Sequence, residues 1–99
     1  MLYRMVENGT TPKVKIISTS KELGDMPTFN TIAQIKGVEK PEEYVILSAH
    51  FDSWDGGQGT TDNGTGSIVM MEAMRILKKI YPNPKRTIMV GHWGSEEQG

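Results

Sequence analysis

Two apolar runs constrain this chain more than anything else in it. Tyr44-Val45-Ile46-Leu47-Ser48-Ala49 is nearly continuous, as expected of a strand covered on both faces, and it runs straight into His50. Arg86 to His92 is a second such run, centred on Thr87-Ile88-Met89-Val90. Between them a helix is expected from about Gly64 to Gly66 onward, with Asn63 or Thr65 as candidate caps. Val69, Met70, Ala73, Met74, Ile76, Leu77 and Ile80 give it a broad apolar side, opposite Glu72, Arg75 and Lys79. Tyr81-Pro82-Asn83-Pro84 ends it, because proline cannot continue the hydrogen-bond ladder.

Strand, helix, strand at this length predicts a βαβ unit with parallel strands and a right-handed crossover. Parallel strands end on the same edge of the sheet, where open α/β sheets place their sites. His50 ends the first strand, Glu96 and Glu97 follow the second, and Asp62 precedes the helix. Upstream, Phe29 to Lys36 alternates as a half-buried strand and Lys13 to Ser18 has the composition of an exposed one. Ser20 to Pro27 is expected to be a loop, and Gly37 to Glu43 a turn.

Ninety-nine residues allow one domain with a real core. A net charge of −1 gives no reason to expect nucleic acid, and no apolar run approaches the roughly 20 residues that span a bilayer. No signal peptide is visible at Met1. Cysteine is absent, which excludes disulfides, thiolate zinc sites and cysteine nucleophiles. A metal would have to be held by imidazole and carboxylate, a donor set suited to zinc and also to cobalt or manganese. The Gly56 to Gly59 loop lacks the Lys-Ser/Thr of a phosphate loop.

Three short motifs carry the candidate chemistry. In His50-Phe51-Asp52, the aspartate is placed to orient the imidazole. Asp62 lies in Thr61-Asp62-Asn63-Gly64, a pattern that alone favours a turn or helix cap, although a carboxylate there can also bridge two cations. In Glu96-Glu97, one acid could bind metal while the other moves a proton. His92 is expected to be a buried, hydrogen-bonded histidine rather than a ligand. Trp54 and Trp93 are either cleft-lining or packing residues. Asn8-Gly9-Thr10 and Asn63-Gly64-Thr65 match the glycosylation sequon, and a glycan on Asn63 would obstruct the proposed site.

Together, Ala49-His50-Phe51-Asp52-Ser53, Thr61-Asp62-Asn63-Gly64-Thr65-Gly66 and Gly94-Ser95-Glu96-Glu97-Gln98-Gly99 resemble the leading motifs of the dizinc aminopeptidases, metallopeptidase family twenty-eight. Residues 28–99 resemble the family well, residues 1–27 only loosely. The resemblance implies an α/β fold, part of a zinc-exopeptidase (phosphorylase/hydrolase-like) domain with a mixed sheet. It implies two Zn2+ per complete site, with His50 and Glu97 as ligands of different ions and Asp62 bridging them. Asp52 would steady His50, Glu96 would be the general acid and base, and the Asp62–Asn63 peptide is often cis in such proteins.

The implied partner is a peptide shortened from one end. The implied site also needs an aspartate and a histidine C-terminal to the Glu-Glu pair. Residues 1–99 are therefore expected to be an incomplete N-terminal portion of one catalytic domain, inactive alone. Two alternatives stay open: a related dinuclear zinc deacylase or glutaminyl cyclase, and a non-catalytic binding or structural module of the same fold. Family members are frequently exported, which by analogy favours a place outside the cytoplasm. Oligomeric state is not legible.

Overall fold

A computed structural model describes residues 1–98. The elements are a short helix α1 (Leu2–Glu7), strands β1 (Thr31–Ile35) and β2 (Lys40–His50), helix α2 (Gly66–Ile80) and strand β3 (Arg86–Trp93). Among the described residues no helix is long and apolar enough to cross a membrane.

The strands form one mixed sheet in the order β1-β3-β2. The two long apolar runs pair in parallel, with Val45 opposite Ile88, Leu47 opposite Val90 and His50 opposite Trp93. α2 connects them and packs against both. β1 runs antiparallel along the other edge of β3, with Ile35 opposite Ile88 and Thr31 opposite His92. The parallel register sets the C-terminal ends of β2 and β3 side by side, and the site forms there.

Paired strand residues share a face, so Ile35, Ile88, Val90 and Ala49 lie on the same side of the sheet. Among the described residues they form the buried apolar core of the sheet. From α2 the half-buried stripe is Met70, Ala73, Met74 and Leu77, at helical spacing.

Several expectations are corrected here. The sheet is covered on one face only: one helix cannot cover both, and Ile32, Tyr44 and Ile46 are exposed on the alternate positions. The core is correspondingly small. The helix's apolar side is wider than its contact, leaving Val69, Ile76 and Ile80 exposed. Lys13 to Ser18 forms no strand, since no neighbouring strand takes its hydrogen bonds. β2 begins at Lys40, inside the expected turn, with an irregularity in register between Lys40 and Tyr44. α1 was not anticipated.

His92 is buried, but neither ring nitrogen has a partner. Its ring instead stacks on Phe51, centroids 4.4 Å apart and planes 8° from parallel. Its cross-strand neighbours are Ala49 on β2 and Thr31 on β1, and neither bonds a ring nitrogen.

Candidate metal centre

His50 is delivered by the end of β2 and is buried there. Ser67, in the first turn of α2, donates its hydroxyl to the His50 carbonyl at 3.0 Å, fixing the helix start beneath the strand end. With the proton on Nδ1, the imidazole donates to the Asp52 backbone carbonyl at 3.0 Å. Asp52 thus orients the ring through its main chain, while its carboxylate Oδ1 stands 3.4 Å from Nδ1.

Asp62 comes from a wide turn, Thr60–Thr65, that leads into α2. The turn closes through the Gly64 N–H donating to the Gly59 carbonyl at 2.7 Å. Gly59 has φ of +60°, and a Cβ there would lie 2.9 Å from the Ser53 Cβ, so both conformation and space require glycine. Asp62 leaves helical geometry (φ −118°, ψ 93°), and the Asp62–Asn63 peptide is cis. Neither expected cap forms a side-chain bond to the helix start. Thr65 instead donates back to the Thr61 carbonyl at 2.8 Å, and the Asn63 side chain lies against Gly66, where a Cβ would collide with it.

Glu96 and Glu97 begin the short 3₁₀ turn Glu96–Gln98 that follows β3. Ser95, just before it, has φ of +68°. The Glu97 N–H donates to Asp52 Oδ2 at 2.9 Å, so Asp52 ties the third motif to the first. Gly99, the last residue of that motif, lies outside the described residues.

These elements bring His50, Asp62 and Glu97 together: one ligand atom from each lies within 4.8 Å of the other two. His50 Nε2 faces Asp62 Oδ1 at 3.1 Å and Glu96 Oε2 at 3.7 Å. With the proton on Nδ1, the Nε2 lone pair would point at two carboxylates. That is repulsive unless a positive charge, a proton or a metal ion, lies between them.

The shift at His50 has the same origin. Burial disfavours the charged ring, but the Asp52 carbonyl and the Glu96, Asp62 and Asp52 carboxylates outweigh it and hold the pKa above the usual histidine range. Asp52 shifts the other way. Burial raises it, while the N–H groups of Glu97, Glu96 and Asp52 itself, and then His50, lower it further. Glu97 Oε1 is buried without a hydrogen-bond partner. An orphaned carboxylate oxygen beside an imidazole and a second acid fits a cation, and the nitrogen and oxygen donors suit zinc.

Trp54 is exposed, and the Trp93 indole N–H donates to Ser48 Oγ. Three supporting residues escaped the sequence reading: Ser67, Asn30 and Thr28. Asn30 Oδ1 accepts the Gly94 N–H at 3.0 Å, and Ser95 Oγ donates to Thr28 Oγ1 at 2.9 Å. Ser67 carried a weak signal as a hydroxyl in a helix's first turn, whereas Thr28 and Asn30 carried none, because their partners lie more than sixty residues away.

Parallel strands ending in a histidine and a Glu-Glu turn, with an aspartate from the crossover, define an α/β sheet edge that gathers possible metal ligands. Comparison with known proteins gives the family: the chain belongs to peptidase family M28, whose model matches residues 30–99. It is 40% identical over all 99 residues to carboxypeptidase Q of Bos taurus, covering 21% of that protein. A probable glutamate carboxypeptidase of Arabidopsis thaliana is 40% identical over 73 residues, 71% of this chain and 10% of that protein. Transferrin receptor protein 1 of Gallus gallus is 30% identical over 87 residues, 84% of this chain and 11% of that protein. The chain thus spans about a fifth of the length of the carboxypeptidase Q relatives it matches. No solved structure matches it.

Proposed function

We propose that residues 1–99 carry the N-terminal part of a dizinc exopeptidase centre that hydrolyses terminal peptide bonds. The observation that carries this reading is the convergence of His50, Asp62 and Glu97 from three separate motifs. His50, Asp62 and Glu97 would hold the metal, with Asp62 offering a carboxylate that two ions could share. The β2–α2–β3 crossover takes the right-handed sense general to parallel connections. Bound zinc supplies the positive charge that polarises the scissile carbonyl and acidifies water.

The protein's own residues do the rest. Asp52 holds the His50 ring and the Glu97 backbone in one frame. Glu96, exposed and 3.7 Å from His50 Nε2, takes the proton of the attacking water. The water oxygen bonds to the carbonyl carbon, the C–N bond breaks, and Glu96 returns the proton to the departing amine. Two relatives are named carboxypeptidases, which gives the carboxyl-terminal end of the peptide first claim.

Three ligands cannot complete the coordination of two ions, so on this reading the remaining ligands lie outside the 99 residues. Calorimetric zinc titration of this chain is expected to show one weak site, lost in His50→Ala. Peptides blocked at either end, and an aminoacyl anilide, are expected to remain uncut. Tight binding of two zinc ions or clear turnover would overturn the incompleteness. Zinc binding unaffected by His50→Ala would overturn the site itself.

The similarity to a transferrin receptor favours a second reading, a binding module that holds no metal. The same calorimetric titration separates the two, because a non-metal module shows no His50-dependent zinc site at all.

A further inference from the structure

The turn that presents Glu96 and Glu97 is held from outside the motif by a segment with no assigned role. Three observations place it there. The Asn30 side-chain oxygen accepts the Gly94 N–H at 3.0 Å. Ser95 Oγ donates to Thr28 Oγ1 at 2.9 Å. A Cβ on Gly94 would sit 2.6 Å from the Phe29 carbonyl oxygen and 2.9 Å from Thr28 Oγ1, so the two backbones meet with no room for a side chain.

These contacts fall on the two residues before Glu96, where the chain leaves β3 and Ser95 takes its positive φ. A non-glycine residue holds that conformation only where its surroundings enforce it. Within the turn, the Glu97 N–H is tied to Asp52. The Glu-Glu pair is therefore pinned twice, by Thr28 and Asn30 before it and by Asp52 within it.

We propose that Asn30, assisted by Thr28, is a positioning residue for the metal centre, setting where Glu97 meets His50 and Asp62. This rests on the metal-site reading above. Asn30 touches neither substrate nor ion; it acts through the Gly94 N–H. It needs only an acceptor oxygen, so aspartate replaces it and alanine does not.

The test uses the 99-residue chain with Co2+ as a visible-spectrum probe, beside amide hydrogen exchange. In Asn30→Ala, cobalt affinity is expected to fall about tenfold, the size typical of losing a group that orients a ligand. Exchange should speed up at Gly94 and Glu97 but not at Ile88 or Val90, which reports a loosened turn on an intact sheet. Asn30→Asp should restore both readouts, and Thr28→Val should show a smaller loss of the same kind.

Unchanged cobalt affinity in Asn30→Ala overturns the proposal while His50→Ala abolishes binding in the same assay. If His50→Ala leaves binding intact, the metal-site reading has failed instead. General acceleration of exchange across β3 would make Asn30 a merely structural residue and also overturn the proposal.

Discussion

At Glu43 one carboxylate meets two cations from different parts of the chain. It accepts from Lys40 Nζ at 2.8 Å and from Arg86 Nε, linking the irregular start of β2 to the first residue of β3. The hydrogen bonds from Lys40 and Arg86 hold its carboxyl below the ordinary glutamate range, against a smaller opposing effect of burial. The sign follows from linkage. A carboxyl whose pKa is lower folded than unfolded stabilises the fold above its unfolded value, and that contribution is lost as pH falls through the folded value. The melting temperature of the chain is therefore expected to drop between about pH 6 and about pH 3, and Glu43→Gln should flatten part of that drop. A pH–melting curve identical to that of the unchanged chain would remove Glu43 from the account. Both partners are partly exposed, so the effect should shrink in high salt.

Among the elements, the joint between β1, β2 and β3 depends on a side chain that looks unremarkable in the sequence. Thr87 is 1% exposed. Its hydroxyl donates to the Pro41 carbonyl at 2.7 Å and accepts the Gly37 N–H at 3.0 Å, so it serves both ends of the β1–β2 connection from β3. Thr87→Val keeps the shape and removes both bonds, leaving a backbone donor and acceptor without this partner. A loss of about 1–3 kcal/mol is expected, read by urea unfolding; Thr87→Ser, which keeps the hydroxyl, should lose less.

What the sequence disclosed follows the same physics. The long strands and α2 were legible because periodicity and proline punctuation act locally. The convergence of His50, Asp62 and Glu97 was legible because a parallel pair must end on one edge. Lys13 to Ser18 misled because strand composition states a preference that only a partner strand can satisfy. The shared role of Asp52 was half visible: its spacing from His50 showed, but its bond to the Glu97 N–H depends on how the end of β3 turns.

The whole molecule is open in a way its length does not require. Its radius of gyration is 21.7 Å and its extents are 69 × 35 × 15 Å, against about 13 Å for a compact domain of roughly 100 residues. The thinnest dimension has room for the sheet and its single helix and little else. Tyr44, Ile46 and Ile32 on the uncovered sheet face, and Ile68, Val69 and Ile80 on α2, stay in water. Apolar surface of this extent favours association and weakens cooperative folding.

The isolated chain is therefore expected to bind 1-anilinonaphthalene-8-sulfonate, to unfold over a broad temperature range, and to sediment as a mixture whose average mass rises with concentration. Ile46→Thr tests the cause. Ile46 is exposed, so its replacement should cost no more than about 0.5 kcal/mol of stability, yet dye binding and association should both fall, since the hydroxyl interrupts the patch at its centre. If association is unchanged while stability falls by more than that, Ile46 is packed rather than exposed, and the one-sided sheet is wrong. The candidate site shares this openness, because the edge that gathers His50, Asp62 and Glu97 is held by one sheet and one helix, so these side chains should tighten in any setting that covers the second face.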